Sequence, residues 1–271
     1  MKRNDFQNWT YPAVALIVAL VGWEAIIHLF GMSPLILPSP IKVAAALTSH
    51  CGQLFTNGLL TFLESILGFI VGSSFGIGLA ILFLFSAKAE RALYPYAIAM
   101  KAIPLVALAP IVVVWLGGGM ASKVVLSAII SFFPVLVNAI DGLKSVEPEA
   151  LELMRSLSAS RWQTFVKYQW PNALPQLFAG LKVASSFSVV GCVVAEFVNA
   201  QAGIGFLIKS SSYYLDTDIT FAAIFVAALI GILFFGIVVW LQTIVVFWKR
   251  QDHATKETDF ETKHSTSEGI I

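Results

Sequence analysis

Residues 59–85 read LLTFLESILGFIVGSSFGIGLAILFLF, with Glu64 the only charged side chain among them. A helix needs about 20 mainly apolar residues to cross the hydrocarbon core of a bilayer, and this stretch exceeds that length. Gly68, Gly72 and Gly76 recur at every fourth position, with Gly78 close behind. That spacing puts small residues on one side of a helix, where they let a second helix approach closely in lipid. One stretch therefore predicts both a membrane span and the face through which it packs. The whole chain agrees. Of its 271 residues, 58% are hydrophobic and 12% charged, against about 25% charged in an ordinary soluble domain. So few charges cannot coat a surface in water, and the expected fold class is an all-α integral membrane protein. The formal net charge is +1, which gives no footing for a polyelectrolyte, so no nucleic acid partner is expected.

Further spans are predicted over 11–30, 93–116, 124–143, 173–198 and 221–248, about six in all with 59–85. Residues 1–10 precede the first, and Lys2 and Arg3 stand in front of it without a small-residue cleavage site, so it reads as an uncleaved anchor. Pro34, Pro38 and Pro40 forbid a continuous helix after it. Residues 41–47 fit a short amphipathic helix at the membrane surface. The third span is interrupted by Pro95, Pro104 and Pro110 and ends at Gly117-Gly118-Gly119; Pro134 lies inside the fourth. The polar tail over 249–271 has too little apolar content to fold and is expected to be disordered.

An even number of spans puts both ends on one side. Lys2, Arg3, Lys88, Arg91, Lys144, Arg155, Arg161, Lys167, Lys249 and Arg250 fall on the side of the termini, against Lys42, Lys123 and Lys209 opposite. Basic residues favour the cytoplasmic side, so both termini are expected in the cytoplasm, in an inner membrane. Cys51 reads as a loop residue and Cys192 lies in an apolar run; neither a disulfide framework nor a metal site is expected, since the four histidines are scattered.

Residues 144–172 are too polar to span yet are patterned. Over 147–165 the sequence is EPEALELMRSLSASRWQTF. Leu151, Met154 and Leu157, then Trp162 and Phe165, recur at helical spacing. Pro148 suits a first helical turn, with Glu149 and Glu152 near its positive end. Ser158-Ala159-Ser160 reads as a turn, with Ser160 capping a second short helix. Two short helices meeting at a bend are predicted, one face on the spans and the other free for a soluble partner.

This loop resembles the cytoplasmic motif of permeases in binding-protein-dependent ATP-binding-cassette importers. Glu152 takes the position of the motif's Glu, Ser158 that of its Gly, and Trp170-Pro171 that of its Leu-Pro, with Leu153 and Met154 in place of two alanines. Ser158 to Gln163 resembles the family's Gly-Ala-Ser-x-Trp-Gln, and Pro171-Asn172-Ala173-Leu174-Pro175 its Pro-x-Ala-Leu-Pro. Trp23-Glu24, Leu37-Pro38-Ser39-Pro40, Ile103-Pro104-Leu105 and Val194-Ala195-Glu196-Phe197 with Gly203-Ile204-Gly205 resemble the nitrate, sulfonate, taurine and pyrimidine branch. The resemblance runs over about 13–242.

The resemblance implies a type I importer permease fold working as two copies, with ABC ATPase subunits and an extracytoplasmic substrate-binding protein as partners. It implies that Glu149, Glu152, Arg155, Ser158, Ala159, Arg161, Trp162, Phe165 and Pro171 dock the ATPase. The substrate would be a small solute: a sulfonate, a nitrate-like anion, or a pyrimidine or vitamin precursor. Thr61-Phe62-Leu63-Glu64 and Phe132-Phe133-Pro134 lean toward the last kind. No G-x-x-x-x-G-K-[ST] occurs, so this chain is expected to bind no cofactor and catalyse nothing, with ATP and Mg on the partner. Where the family has Gly, Ser158 faces a conformational cost at positive φ, so either the bend differs here or docking is tuned.

Ionisable groups inside spans are costly and often functional. Glu64, Lys101, Lys182, Ser185, Ser186 and Glu196 are the candidate pathway residues. Each has a second reading: Glu24 and Glu64 reaching outer water, Lys101 and Lys182 snorkelling to inner headgroups, the serines bonding to their own helix. A self-contained secondary transporter is the rival function, but it calls for paired acids near midplane, whereas these acids fall near the outer ends. An intramembrane enzyme is the second rival, and the absence of H-E-x-x-H speaks against it.

Overall fold

The computed structural model describes residues 4–248, so the expected tail over 249–271 lies outside the described residues. The described chain runs α1 (Asn4–Phe30), α2 (Pro40–Ser49), α3 (Cys51–Phe85), α4 (Ala87–Lys101), α5 (Leu105–Leu116), α6 (Met120–Lys144), α7 (Pro148–Ser156), α8 (Arg161–Thr164), a π-helical turn (Phe165–Gln169), α9 (Trp170–Asn199), α10 (Ile204–Tyr213) and α11 (Thr217–Val245). Among the described residues five helices are long and apolar enough to cross a membrane, and α4 with α5 makes a sixth when the pair is taken together. Large apolar side chains such as Val14, Ile17, Phe75 and Leu233 lie exposed on the outside, as lipid requires and water would not tolerate.

Four expectations change. The third span is not one rod: α4 and α5 meet at 101°. Pro104, extended at φ −62 and ψ 120, has no N–H to continue the helix and keeps Ile103 from doing so. Cys51 is no loop residue but opens α3, whose 35 residues run beyond the hydrocarbon core. The second loop helix does not stand apart, because α8 runs through the π turn into α9 as one apolar stretch. Finally, α10 has no counterpart among the expected elements.

Helices α3, α6 and α9 pack most closely, and α2, α10 and α11 build a further apolar cluster with α9 around Val43, Leu207, Ala223 and Phe234. Gly68, Gly72 and Gly76 of α3 face α6: a Cβ on Gly72 would overlap Ala128 O and lie 2.9 Å from Ala128 Cα, and one on Gly76 would lie 3.0 Å from Phe132 O. On its other side α6 meets α9 through Gly180 and Gly191, where an added Cβ would come within 2.6 Å of Pro134 O and 2.9 Å of Leu126 O. Ser127 Oγ donates to Ser188 O across that second interface at 2.7 Å. Leu126, Val135 and Leu136 are buried between the helices. Gly78 faces open space, so only three of the four glycines in the stripe serve packing. Gly72-Ser73-Ser74-Phe75-Gly76 also spells the Gly-x-Ser-x-Gly of nucleophile elbows, but it runs through the middle of α3 and not through a strand-to-helix turn.

Candidate functional site

The loop between α6 and α9 is built from local rules. Pro148 opens α7, with Glu149 in its first turn and Arg155 in its last. At the end of α7, Ser158 N–H donates to Arg155 O at 2.9 Å and Ala159 N–H to Met154 O at 3.0 Å. This is the Schellman pattern, which needs a left-handed residue after the helix. Ser158 is that residue, at φ 54. The bend therefore keeps the geometry a glycine would favour, with Ser carrying the cost. Ser158→Gly is expected to raise thermal stability by about 1 kcal/mol and Ser158→Val to lower it; melting of the purified pair in detergent checks this.

Ser160 starts α8 with a capping box: its Oγ accepts from Gln163 N at 3.2 Å, and Gln163 Oε1 accepts from Ser160 N at 2.8 Å. Phe165 is buried, and its ring lies 5.5 Å from Phe85, 5.3 Å from Trp162 and 5.9 Å from Trp170. These aromatics fasten the loop to the end of α3. Leu151, Met154 and Ala159 are half-buried, whereas Leu157, expected on the packed face, is 69% exposed. It joins Leu153 and Trp162 on an open apolar strip flanked by Glu149, Glu152, Arg155 and Arg161, all exposed. Among the described residues none of these four charges is in an ion pair; the nearby pair is Lys144 with Glu90. Pro171 sits half-buried in the first turn of α9.

The opposite end of the bundle holds a buried charge cluster. Lys123 Nζ donates to Glu64 Oε1 at 2.8 Å, with the two side chains 7% and 6% exposed. Glu64 thus does not reach water, and Lys123, counted in an outer loop, is inside. Glu196 is fully buried, accepting from Thr61 Oγ1 at 2.8 Å and from Gly205 N at 2.6 Å. Cys192 Sγ lies 3.5 Å from Glu64 Oε2 and 3.6 Å from Glu196 Oε1. The ligand atoms of Glu64, Cys192 and Glu196 converge within 4.8 Å of one another, but the Lys123 ammonium already supplies the cation. Glu24, by contrast, is a third exposed, with His28 Nε2 at 3.2 Å from its Oε1.

The remaining candidates are spread out. Lys101 ends α4 at the break, not near the start of its span, and lines a cavity of about 440 Å³ with Phe133, Asn138 and Phe187. Lys182 is half-buried. Ser185 Oγ donates to Lys182 O at 2.8 Å, so this buried hydroxyl is bonded within its own helix. Ser186 lies in a separate groove with Val190 and Gly231. Sequence reasoning missed Lys123 and Cys192 of the buried charge cluster, and Asn57 of α3, whose Oδ1 accepts from Gly203 N at 2.8 Å. Their only signal is polarity next to apolar runs, since the partners lie far away along the chain.

Several membrane-spanning helices packed through glycine, with one broken span and a polar loop held out at one end, define a multi-pass membrane protein. The chain matches the model of the family described as "Binding-protein-dependent transport system inner membrane component" over residues 72–251. It is 34% identical to the formylaminopyrimidine transport permease protein of Halalkalibacterium halodurans over 89% of this chain and 96% of that one. It is also 34% identical to the riboflavin transport system permease protein of Chloroflexus aurantiacus, over 91% and 94%, and 32% identical to the taurine transport system permease protein of Escherichia coli, over 80% and 82%. The fold is that of a chain in an inward-facing structure of the MetNI methionine ABC transporter, with a TM-score of 0.61, 16% identity, and 73% of this chain and 98% of that one covered. This chain belongs to the family of inner-membrane permeases of binding-protein-dependent ABC importers, and is a transport subunit.

Proposed function

We propose that two copies of this chain form the pathway of an ATP-driven importer, and that the α7–α8 loop docks the ATPase subunits. The observation that carries this is the loop itself. Its exposed face combines Leu153, Leu157 and Trp162 with unpaired Glu149, Glu152, Arg155 and Arg161, on a backbone fixed by a Schellman bend, a capping box and an aromatic anchor. A surface so well ordered and so little used within its own chain fits a rigid partner. ATP and Mg belong to that partner, and an extracytoplasmic binding protein delivers the solute.

The loop end is the cytoplasmic end, together with both termini. Lys88, Arg91, Lys144, Arg155, Arg161 and Lys167 gather there, and the burial of Lys123 leaves still fewer free cations opposite. Lys101 at the α4–α5 break lines the route, Lys182 stands half-buried on α9, Ser186 faces a separate groove, and buried Glu64, Glu196 and Ser185 support the wall from behind. A small anionic or heteroaromatic solute fits Lys101 beside Phe133 and Phe187, and the transport names of the relatives run from taurine to riboflavin.

The test is a mild-detergent pull-down of the tagged chain from its own membranes. A stoichiometric ATPase is expected, and it is lost when Glu152 and Arg161 are replaced. A chain that purifies alone and transports alone after reconstitution is a secondary transporter, and the proposal fails.

A further inference from the structure

The N-terminus of α10 is capped by other helices. A helix start leaves four amides without partners and carries the positive end of its dipole. Gly203, at the capping position of α10, has no side chain to offer. Instead Gly203 N–H donates to Asn57 Oδ1 at 2.8 Å, Ile204 N–H to Thr61 Oγ1 at 2.8 Å and Gly205 N–H to Glu196 Oε2 at 2.6 Å. Asn57 and Thr61 stand one turn apart on α3, and Glu196 comes from α9. The glycines make room: Gly203 sits at φ +110, where a Cβ would overlap the Glu196 carboxylate, and a Cβ on Gly205 would lie 2.6 Å from Val193 O. Lys123 Nζ also reaches Ala202 O at 3.4 Å. The segment that opens α10 is thus plugged into a socket made by three spans.

The charges explain why the socket needs Lys123. Two buried carboxylates, Glu64 and Glu196, face a single ammonium, with the Cys192 thiol between them. The thiol has one proton to give, so it serves one carboxylate at a time. With Lys123 on Glu64, Glu196 is left to the helix end and its N–H groups.

We propose that Glu196 is a positioning residue for transport: it caps α10 across the fold, and the Lys123–Glu64 pair keeps a second uncompensated carboxylate from competing with it. The outer ends of α3, α6 and α9 then move with α10 as one body. Parting them would strip the partners from buried amides and carboxylates where no bulk water replaces them. The role in transport rests on the permease reading above; the capping does not.

The test uses the full chain in lipid nanodiscs, with hydrogen–deuterium exchange as the first readout. Glu196→Ala is expected to speed exchange over 203–205 by roughly ten- to a hundredfold, with exchange over 68–76 unchanged. Thr61→Val, nearly isosteric, gives the same direction at Ile204 and serves if Glu196→Ala fails to accumulate. Lys123→Met is expected to speed exchange there too, and Glu64→Gln with Lys123→Met to restore protection, because the double change removes the stranded charge. In the complex with the cognate ATPase, Glu196→Ala is expected to lower ATP hydrolysis about tenfold or more while the ATPase still co-purifies. Unchanged exchange over 203–205 in Glu196→Ala and Thr61→Val overturns the capping. A double variant as exposed as Lys123→Met overturns the part given to the ion pair. Faster exchange with unchanged hydrolysis overturns the role in transport, and failure to bind any ATPase in the unmodified chain overturns the permease reading alone.

Discussion

Replacing Arg161 and Trp162 together by alanine is expected to abolish ATP-coupled uptake while membrane insertion stays intact. Both side chains are exposed, Trp162 by 62%, so removing them empties no core. The local backbone survives, because the capping box uses Ser160 and Gln163 and Phe165 keeps its contacts with Phe85 and Trp170, although the contacts of Trp162 with Phe85 and Phe165 are lost. The loss falls on the partner's side. Trp and Arg dominate interface energies, at about 2–4 kcal/mol each where well buried by the partner. Losing both weakens docking by about three to six orders of magnitude if the two losses add, beyond what membrane concentrations offset. Glu152→Lys acts by another route, setting a like charge beside Arg155 and Arg161 where the loop presents both signs. The measurement is uptake together with ATPase co-purification at matched expression. Normal uptake by both variants would mean that force enters the bundle elsewhere.

The sequence made the membrane class and most span positions legible, because apolar length and glycine spacing are one-dimensional signals. The loop was legible for the same reason. Pro148, the Ser160 cap and the helical spacing of Leu151, Met154 and Phe165 act within a few residues of themselves, whereas Leu157 and Trp162, in the same pattern, are exposed. Even the cost at Ser158 stemmed from one residue type in one position, and φ 54 locates it. What escaped was non-local. Lys123 comes after three glycines and looks like a loop cation, yet its partner Glu64 stands 59 residues earlier. α10 has only 10 residues and borrows its caps from α3 and α9, so no start signal appears in its own sequence. The break at Pro104 was visible as a proline, but its 101° bend depends on what packs on either side.

Gly72→Val destroys the bundle, whereas Gly78→Ala, six residues along the same helix, does not. The two glycines are alike in residue type and helix and differ in what they face. An added Cβ at Gly72 meets the backbone of Ala128, overlapping its carbonyl oxygen and lying 3.0 Å from its carbon, while at Gly78 it meets nothing within 4 Å. Backbone cannot rotate away as a flexible side chain can, so α3 and α6 must separate. Separation costs more than the contacts at Gly72. Gly68 and Gly76 sit on the same seam, Phe75 stacks on Phe132 at 5.6 Å, and the Glu64–Lys123 pair bridges the same two helices. Overpacking alone costs about 1–3 kcal/mol, and parting a buried ion pair adds about 3–5 kcal/mol when one charge is stranded. The sum is comparable to the whole stability of a typical domain. Gly72→Val is therefore expected to fail to accumulate, or to melt far below the unmodified chain in detergent, with Gly72→Ala between. Gly78→Ala is expected to melt at the same temperature or higher, since alanine is the better helix former by about 1 kcal/mol. Equal stability of Gly72→Val and Gly78→Ala would mean that α3 and α6 do not meet through this face, and the buried charge cluster built on that meeting would fall with it.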